Sequence, residues 1–206
     1  MSLTLERERA AGNRVAGVDE VGRGPLAGPV VACAVVLPAD LDADLLARLA
    51  DSKALKPGVR EGLDAEIRAV AEVGLGEASV AEIDTWNILQ ASHVAMARAL
   101  AALPQPPDHA LVDGNRLPAL PCPGEAVVGG DARVASIAAA GIVAKVARDA
   151  AMDRLDAAWP GYSWARNRGY GTAEHRRALA ELGPSPHHRR SFRPVRAAVA
   201  AAAGAG

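Results

Sequence analysis

VAGVDEVGRGPLAGPVVACAVVL, running from Val15 to Leu37, is the stretch on which the rest of the chain depends. It opens with a short apolar run, Val15 to Val18, and then sets two acids side by side, Asp19 and Glu20. A Gly-Arg-Gly turn follows at Gly22, Arg23 and Gly24, with Pro25 behind it; a second apolar run, Val30 to Leu37, is rich in β-branched residues. The pattern predicts strand, acidic end, glycine turn, strand. Two acids beside a glycine-flanked arginine are poor core material. They suit a metal held beside a polyanion, since carboxylate oxygens bind hard cations and glycines let a ligand approach the backbone. Adjacent residues of a regular strand point to opposite faces, so Asp19 and Glu20 are expected to share a site only if the strand ends or bulges there.

Outward from this stretch, two more acids stand where apolar runs stop. Asp113 closes His109–Val112 and precedes Gly114; Asp131 follows the run Ala126–Val128 and precedes a long helical stretch, Val134–Ala158. Acids at the ends of apolar strands are costly unless paired or bound to metal. Each alone also has a plain reading: Asp113-Gly114 is a common turn pair and Asp131 a good helix N-cap. The remaining pattern predicts strands at 15–19, 28–37 and 73–79, and helices at 58–71, 80–83, 86–103, 173–182 and near 194–203. Ala138-Ala139-Ala140-Gly141 predicts a helix packed very close to the sheet, and Trp164–Thr172 a polar loop carrying aromatics. The order β-β-α-β-α-β-β-α followed by helices gives an α/β sheet with a C-terminal helical extension, divided as 1–158 and 159–206.

Composition narrows the function. Half of the 206 residues are hydrophobic but only 3% are aromatic, so the core is aliphatic and the aromatics become functional candidates. The net charge of −1 hides an asymmetry: Trp159–Arg196 holds eight arginines against two glutamates, which leaves an acidic body and a basic C-terminal segment. Cys33 and Cys122 fit no metal or redox spacing and read as inert thiols in a reducing compartment. The charged start and the shortness of every apolar run predict a soluble, cytoplasmic protein. Arg166-Asn167-Arg168-Gly169-Tyr170-Gly171 sets Tyr170 between glycines, poorly placed for a core and well placed to stack on a sugar or base. Asp51-Ser52-Lys53 can offer a Lys and a hydroxyl to a phosphate, or be a surface loop; His187-His188-Arg189-Arg190 reads as a metal or phosphate patch, or as a solvated helix cap.

The motifs VDEVGRGPLAGPVV, DSKAL, EIDTWNI, LVDGNRLP, VVGGDARVASIAAAGIVAKVARD, RGYGT and HHRRSFRPV stand in order across residues 14–196, and together the chain resembles bacterial type 2 ribonuclease H, ribonuclease HII. The resemblance implies a ribonuclease H-like fold, a mixed sheet of five strands flanked by helices. It implies a catalytic, metal-binding quartet on Asp19, Glu20, Asp113 and Asp131, holding two Mg²⁺ or Mn²⁺ ions. Gly22, Arg23 and Gly24 would contact the ribose 2′-OH and nearby phosphates, Tyr170 the deoxyribose after the ribonucleotide, and Lys53 the substrate backbone. The implied activity is hydrolysis of the RNA strand of RNA–DNA hybrids and nicking 5′ of single ribonucleotides in duplex DNA, with a role in removing ribonucleotides from DNA; a monomer is the default expectation. Gly141 stands where a serine is usual, and Asn167-Arg168 where His-Lys is usual. Two other classes remain open from the residues alone: a duplex-binding module without catalysis, and a metal phosphohydrolase of small esters.

Overall fold

The computed structural model describes residues 3–49 and 56–204. Five strands form one mixed sheet in the order β3-β2-β1-β4-β5: β1 (Val15–Val21), β2 (Val30–Val36), β3 (Glu72–Ala78), β4 (His109–Asp113) and β5 (Gly124–Val127). The first three are antiparallel neighbours, and β4 and β5 join β1 in parallel. The five-stranded α/β architecture expected from the sequence is the one the chain adopts.

Helix α4 (Val80–Ala101) covers one face of the sheet; α3 (Pro57–Val70), α2 (Ala43–Leu49) and α5 (Ala135–Ala158) cover the other. β2 is buried on both sides: Val30, Ala32, Ala34 and Val36 pack toward α4, while Cys33 and Val35 pack toward α3 and α5. A strand buried on both faces needs an unbroken apolar run, which is what VVACAVV supplies. Small residues let helices lie close. A Cβ on Gly17 would collide with the α5 backbone at Ser136, and one on Gly74 or Gly76 with the α4 backbone at Ala99 or Ala95. The close packing predicted for Ala138–Gly141 is present, with Gly141 directly over Asp19.

Helix ends show where local signals were right and where they were overridden. Ser79 and Glu82 form a capping box that starts α4. The two helices expected at 80–83 and 86–103 are one element broken at Asn87 (φ 68°), whose Oδ1 accepts from the N–H groups of Leu89 and Gln90. Asp131 does not cap α5. It sits in a 3₁₀ turn, Gly130–Ala132, and the α5 N-terminus is satisfied from far away: Glu8 of α1 (Glu6–Ala11) accepts from both the Ser136 backbone N–H and its hydroxyl at 2.9 Å.

The C-terminal segment corrects two expectations. Residues 164–172 are not all loop, because Trp164–Asn167 form the short helix α6. Nor are the aromatics spared from packing: Trp164 is fully buried and stacks on Tyr162 at 4.9 Å, in a satellite core with Ala27, Met152 and Ala178. An aliphatic, alanine-rich chain has few side chains large enough to fill this junction. Helices α7 (Ala173–Leu182) and α8 (Arg193–Gly204) complete the chain, and Leu26, Leu179 and Val195 join them to the loop after β1.

Candidate active site

Asp19 and Glu20 lie on β1, which neither ends nor bulges at them: the antiparallel register with β2 runs unbroken from Ala16↔Val36 to Val21↔Val31. They point to opposite faces. Asp19 faces α5, in a cavity of about 180 Å³ that it lines with Asp131, Arg60, Gly141 and Lys145; Glu20 faces α4, in a cavity of about 310 Å³ that it lines with Asp113, Arg23 and Arg116. The two acids still belong to one electrostatic site, for a reason the strand rule omits. Parallel pairing of β1 with β4 stops at Val18↔Val112, so beyond it this edge of β1 is open. Asp113 occupies the next register position, beside Asp19, where an opposed pair of like charges is unfavourable without a counter-ion.

The field is strong. Burial, then the charges of Glu20 and Asp113 and, more weakly, Asp131, hold the Asp19 carboxyl well above the usual carboxylate range. Burial and Asp113 also raise Glu20, against the pull of Arg23. Asp113 therefore acts on both faces; its Oδ1 is fixed by the Gly130 N–H at 2.6 Å. Glu20 Oε1 pairs with Arg23 at 3.0 Å, while its buried Oε2 has no partner. As placed, no three His, Cys, Asp or Glu side chains among the described residues are grouped tightly enough to hold an ion. The donor chemistry nevertheless fits a hard divalent cation: Asp19 feels the charges of three further carboxylates, Glu20, Asp113 and Asp131, and Glu20 has a buried oxygen lacking a partner.

Gly141 sets the Asp19 rotamer, because a Cβ there would lie 2.5 Å from Asp19 Oδ2. Gly141→Ala is expected to lower turnover about tenfold with the melting temperature little changed, since small displacements of a reacting group are costly. Gly141→Ser should lose less, its hydroxyl being able to donate to the displaced carboxylate. Steady-state kinetics beside thermal melts check both variants.

The Gly-Arg-Gly turn is held from beneath by two buried guanidiniums. Arg189 donates to the carbonyls of Gly22 (2.6 Å), Arg23 (3.0 Å), Gly28 (2.9 Å) and Pro29 (3.1 Å). Arg148 donates to those of Pro29, Ala27 and Arg168. Both arginines are fully buried, and burial lowers their pKa, that of Arg189 to about 9. Gly22, at φ 100°, has no room for a side chain over Arg148. With its carbonyls turned inward, the loop is free to present N–H groups outward. Tyr170 stands beside it, half exposed, its Cε1 3.4 Å from where a Gly24 Cβ would be. The structure thus brings Gly22, Arg23, Gly24 and Tyr170 together next to the acids, while Lys53 lies outside the described residues.

His188 and Arg189 are buried, so these two belong neither to an open metal or phosphate patch nor to a solvated cap, while His187 is half-buried and Arg190 is exposed. The hydrogen bonds assign the tautomers. The Ser185 N–H donates to His188 Nδ1, so His188 carries its proton on Nε2 and donates to His175 Nε2 at 3.0 Å. His175 Nε2 also accepts from the Trp164 indole at 3.1 Å, and its Nδ1–H donates to the Tyr170 carbonyl at 2.9 Å. The chain of bonds from Ser185 to Tyr170 closes only if both rings are neutral. Burial and His175 lower the His188 pKa to about 3, and burial lowers His175. Unfolded histidine titrates near about 6.5, so below that pH the unfolded state takes up a proton that the folded state refuses. The part that His188 contributes is complete above about pH 6.5 and falls on acidification by about 1.4 kcal/mol per pH unit, levelling off near pH 3, and His175 acts in the same sense. Urea unfolding of wild type and His188→Gln between pH 7 and 5 isolates it from the active-site acids, whose raised pKa acts in the opposite sense. A difference between the two proteins that does not change with pH would contradict a neutral pair.

Among residues the sequence reading missed, Arg148 had a signal, an arginine inside an alanine-rich buried helix; Arg189 had none to separate it from Arg190. Of the eight arginines counted in the basic segment, Arg189 is buried, Arg166 pairs with Glu174, and Arg168 with Asp153. Arg176, Arg177, Arg190, Arg193 and Arg196 face solvent. Asn167 and Arg168 shape the turn before Tyr170: Asn167 bonds the Tyr162 carbonyl and the Gly169 N–H, and Arg168 takes φ 52°.

The profile of the family described as Ribonuclease HII matches residues 16–195. The chain belongs to the ribonuclease HII family. Ribonuclease HII of Rhodospirillum rubrum is 66% identical over 202 residues, covering 97% of this chain and 93% of that protein. Ribonuclease H2 from Pyrococcus horikoshii OT3 superposes with a TM-score of 0.73 at 26% identity, over 90% of this chain and 97% of that one. Bst-RNase HIII, solved in complex with Mn²⁺, shares the fold with a TM-score of 0.76 at 18% identity, over 95% of this chain and 72% of that one. As a ribonuclease HII, the protein is a divalent-metal-dependent endonuclease acting on the RNA of RNA–DNA hybrids. The reading as a binding module without catalysis is set aside by this membership. No helix among the described residues is long and apolar enough to cross a membrane.

Proposed function

We propose that this ribonuclease also nicks duplex DNA 5′ of a single embedded ribonucleotide, leaving 3′-hydroxyl and 5′-phosphate ends, and so serves ribonucleotide removal from cytoplasmic DNA as a monomer. The observation that carries the reading is the contact of Tyr170 with the Gly22–Gly24 turn beside the acids: a sugar clamped there can be read through its 2′-OH and by stacking, with no need of a longer RNA run. Asp19, Glu20, Asp113 and Asp131 would hold two Mg²⁺ or Mn²⁺ ions, which supply an activated water and charge stabilisation at the leaving 3′ oxygen. The protein's own contribution is positional. Gly141 fixes Asp19, Gly130 fixes Asp113 and Arg23 fixes Glu20. Arg189 and Arg148 turn the loop's carbonyls inward, and the exposed arginines of 176–196, with Lys53, bind the phosphate backbone.

A duplex with one ribonucleotide, the same duplex all in DNA, and an RNA–DNA hybrid, each incubated with and without Mg²⁺ or Mn²⁺, test this on one gel. A metal-dependent nick 5′ of the ribonucleotide is expected, with the all-DNA duplex intact. Cleavage of the hybrid alone would remove the single-ribonucleotide reading.

A further inference from the structure

We propose that His93, Asn115 and Arg116 form, with Arg23, a seat for the backbone phosphate next to the scissile one. The inference rests on the nucleic-acid reading above and assigns a subsite within it. The 310 Å³ cavity on the α4 side of β1 has two chemical halves. Glu20 and Asp113 supply acceptors; Arg23, His93, Asn115 and Arg116 supply N–H donors. The donors come from three elements. Arg23 lies on the glycine turn and His93 on α4. Gly114, at φ 108°, turns the chain sharply after β4 and brings Asn115 and Arg116 to the same cavity. Burial, and after it the fields of Arg23 and Arg116, favour the neutral form of His93, and the cavity brings the three groups into one local environment.

These donors are not consumed by the neighbouring acids. Glu20 is engaged by one nitrogen of Arg23, whose side chain stays half exposed. Arg116 is exposed and, among the described residues, forms no ion pair. A planar guanidinium, an amide and an imidazole around one opening match the oxygens of a phosphodiester, and guanidinium forks bind phosphate in two-pronged fashion. Position identifies which phosphate. The sugar is gripped at Gly24 and Tyr170, and the second cavity, with Asp19 and Asp131, lies across β1. A strand crossing this open edge has its reacting phosphate between the two cavities and an adjacent one on the α4 side.

The test is a double-mutant cycle between protein and substrate. Metal-free binding to a labelled duplex with one ribonucleotide is measured by fluorescence anisotropy at low salt. Single neutral methylphosphonates are placed in turn at each phosphate around the ribonucleotide. Wild type is expected to lose about tenfold in affinity at the seated phosphate. In Arg116→Ala that loss disappears while losses elsewhere persist, and the slope of log affinity against log salt falls by about one. Arg116→Lys should restore part of the salt slope, and His93→Ala should weaken the same position less. Arg116 is exposed, so its melting temperature should not move. If neutralising each phosphate costs Arg116→Ala as much as it costs wild type, the seat is wrong. Cleavage of the unmodified duplex by wild type with Mn²⁺ reports on the ribonuclease reading separately: a duplex left whole would sink that reading while the anisotropy cycle still decides the seat.

Discussion

Asp113→Asn will abolish cleavage and make the metal-free protein more stable. The two effects share one cause. The Asp113 charge disfavours ionisation of both Asp19 and Glu20, so folding brings them a cost, as repulsion or as proton uptake, that the unfolded chain avoids. The Asn Oδ1 can still accept from the Gly130 N–H, so the geometry of the β4 end survives. Removing one carboxylate from a metal site forfeits several kcal/mol of transition-state stabilisation, and each 1.36 kcal/mol is a factor of ten, so a loss of about a thousandfold or more is expected. The metal-free melting temperature should rise by a few degrees, since about 1 kcal/mol moves a domain of this size by about 2–4 °C. The rise that Mn²⁺ gives wild type should shrink or vanish in the variant. Retained turnover would remove Asp113 from the site, and a fall in metal-free stability would contradict the repulsion.

Arg189→Met will be the most destabilising single substitution in the basic segment. The carbonyls of Gly22, Arg23 and Gly28 depend on this one guanidinium, that of Pro29 is shared with Arg148, and all four lie in the loop that carries Gly22 and Arg23. Leaving a buried acceptor unpaired costs about 1–3 kcal/mol. Relief from burying the charge and partial access of water offset some of the sum, so a net loss of about 3–5 kcal/mol and of about 10 °C in melting temperature is expected. Arg189→Lys should fall between, because an ammonium has three donors for four acceptors. The exposed neighbour Arg190 is the control: Arg190→Met should leave stability within about 0.5 kcal/mol. Thermal melts of the three proteins decide it, and equal losses at 189 and 190 would refute the scaffold role.

Much of this was legible in the residues. The strands were, because apolar runs bounded by glycine, proline and acids have few other readings. Close helix packing was, because a run of alanines with glycine has no other use beside a sheet. What failed to show in the sequence was long-range substitution of one partner for another. Asp131 has the chemistry of an N-cap, but Glu8 reaches Ser136 across 128 positions. Trp164–Asn167 reads as polar loop because what buries Trp164 lies outside the stretch: its indole bonds His175 and its ring stacks on Tyr162. The strand rule rightly set Asp19 and Glu20 on opposite faces; it could not say that the pairing of β1 with β4 stops at Val18↔Val112, just before the two acids, and leaves that edge open.

The grip of Arg189 on Gly22 also orders events in time. The glycine turn leaves the ribosome 167 positions ahead of the side chain that fixes it. Contacts so distant in sequence close late, since the intervening chain must first be ordered. A nascent chain therefore carries Asp19 and Glu20 long before the loop beside them is shaped. The loop takes its shape only once residue 189 has been made, and a chain cut short before it should fold part of its sheet yet leave the carbonyl of Gly22 without its partner.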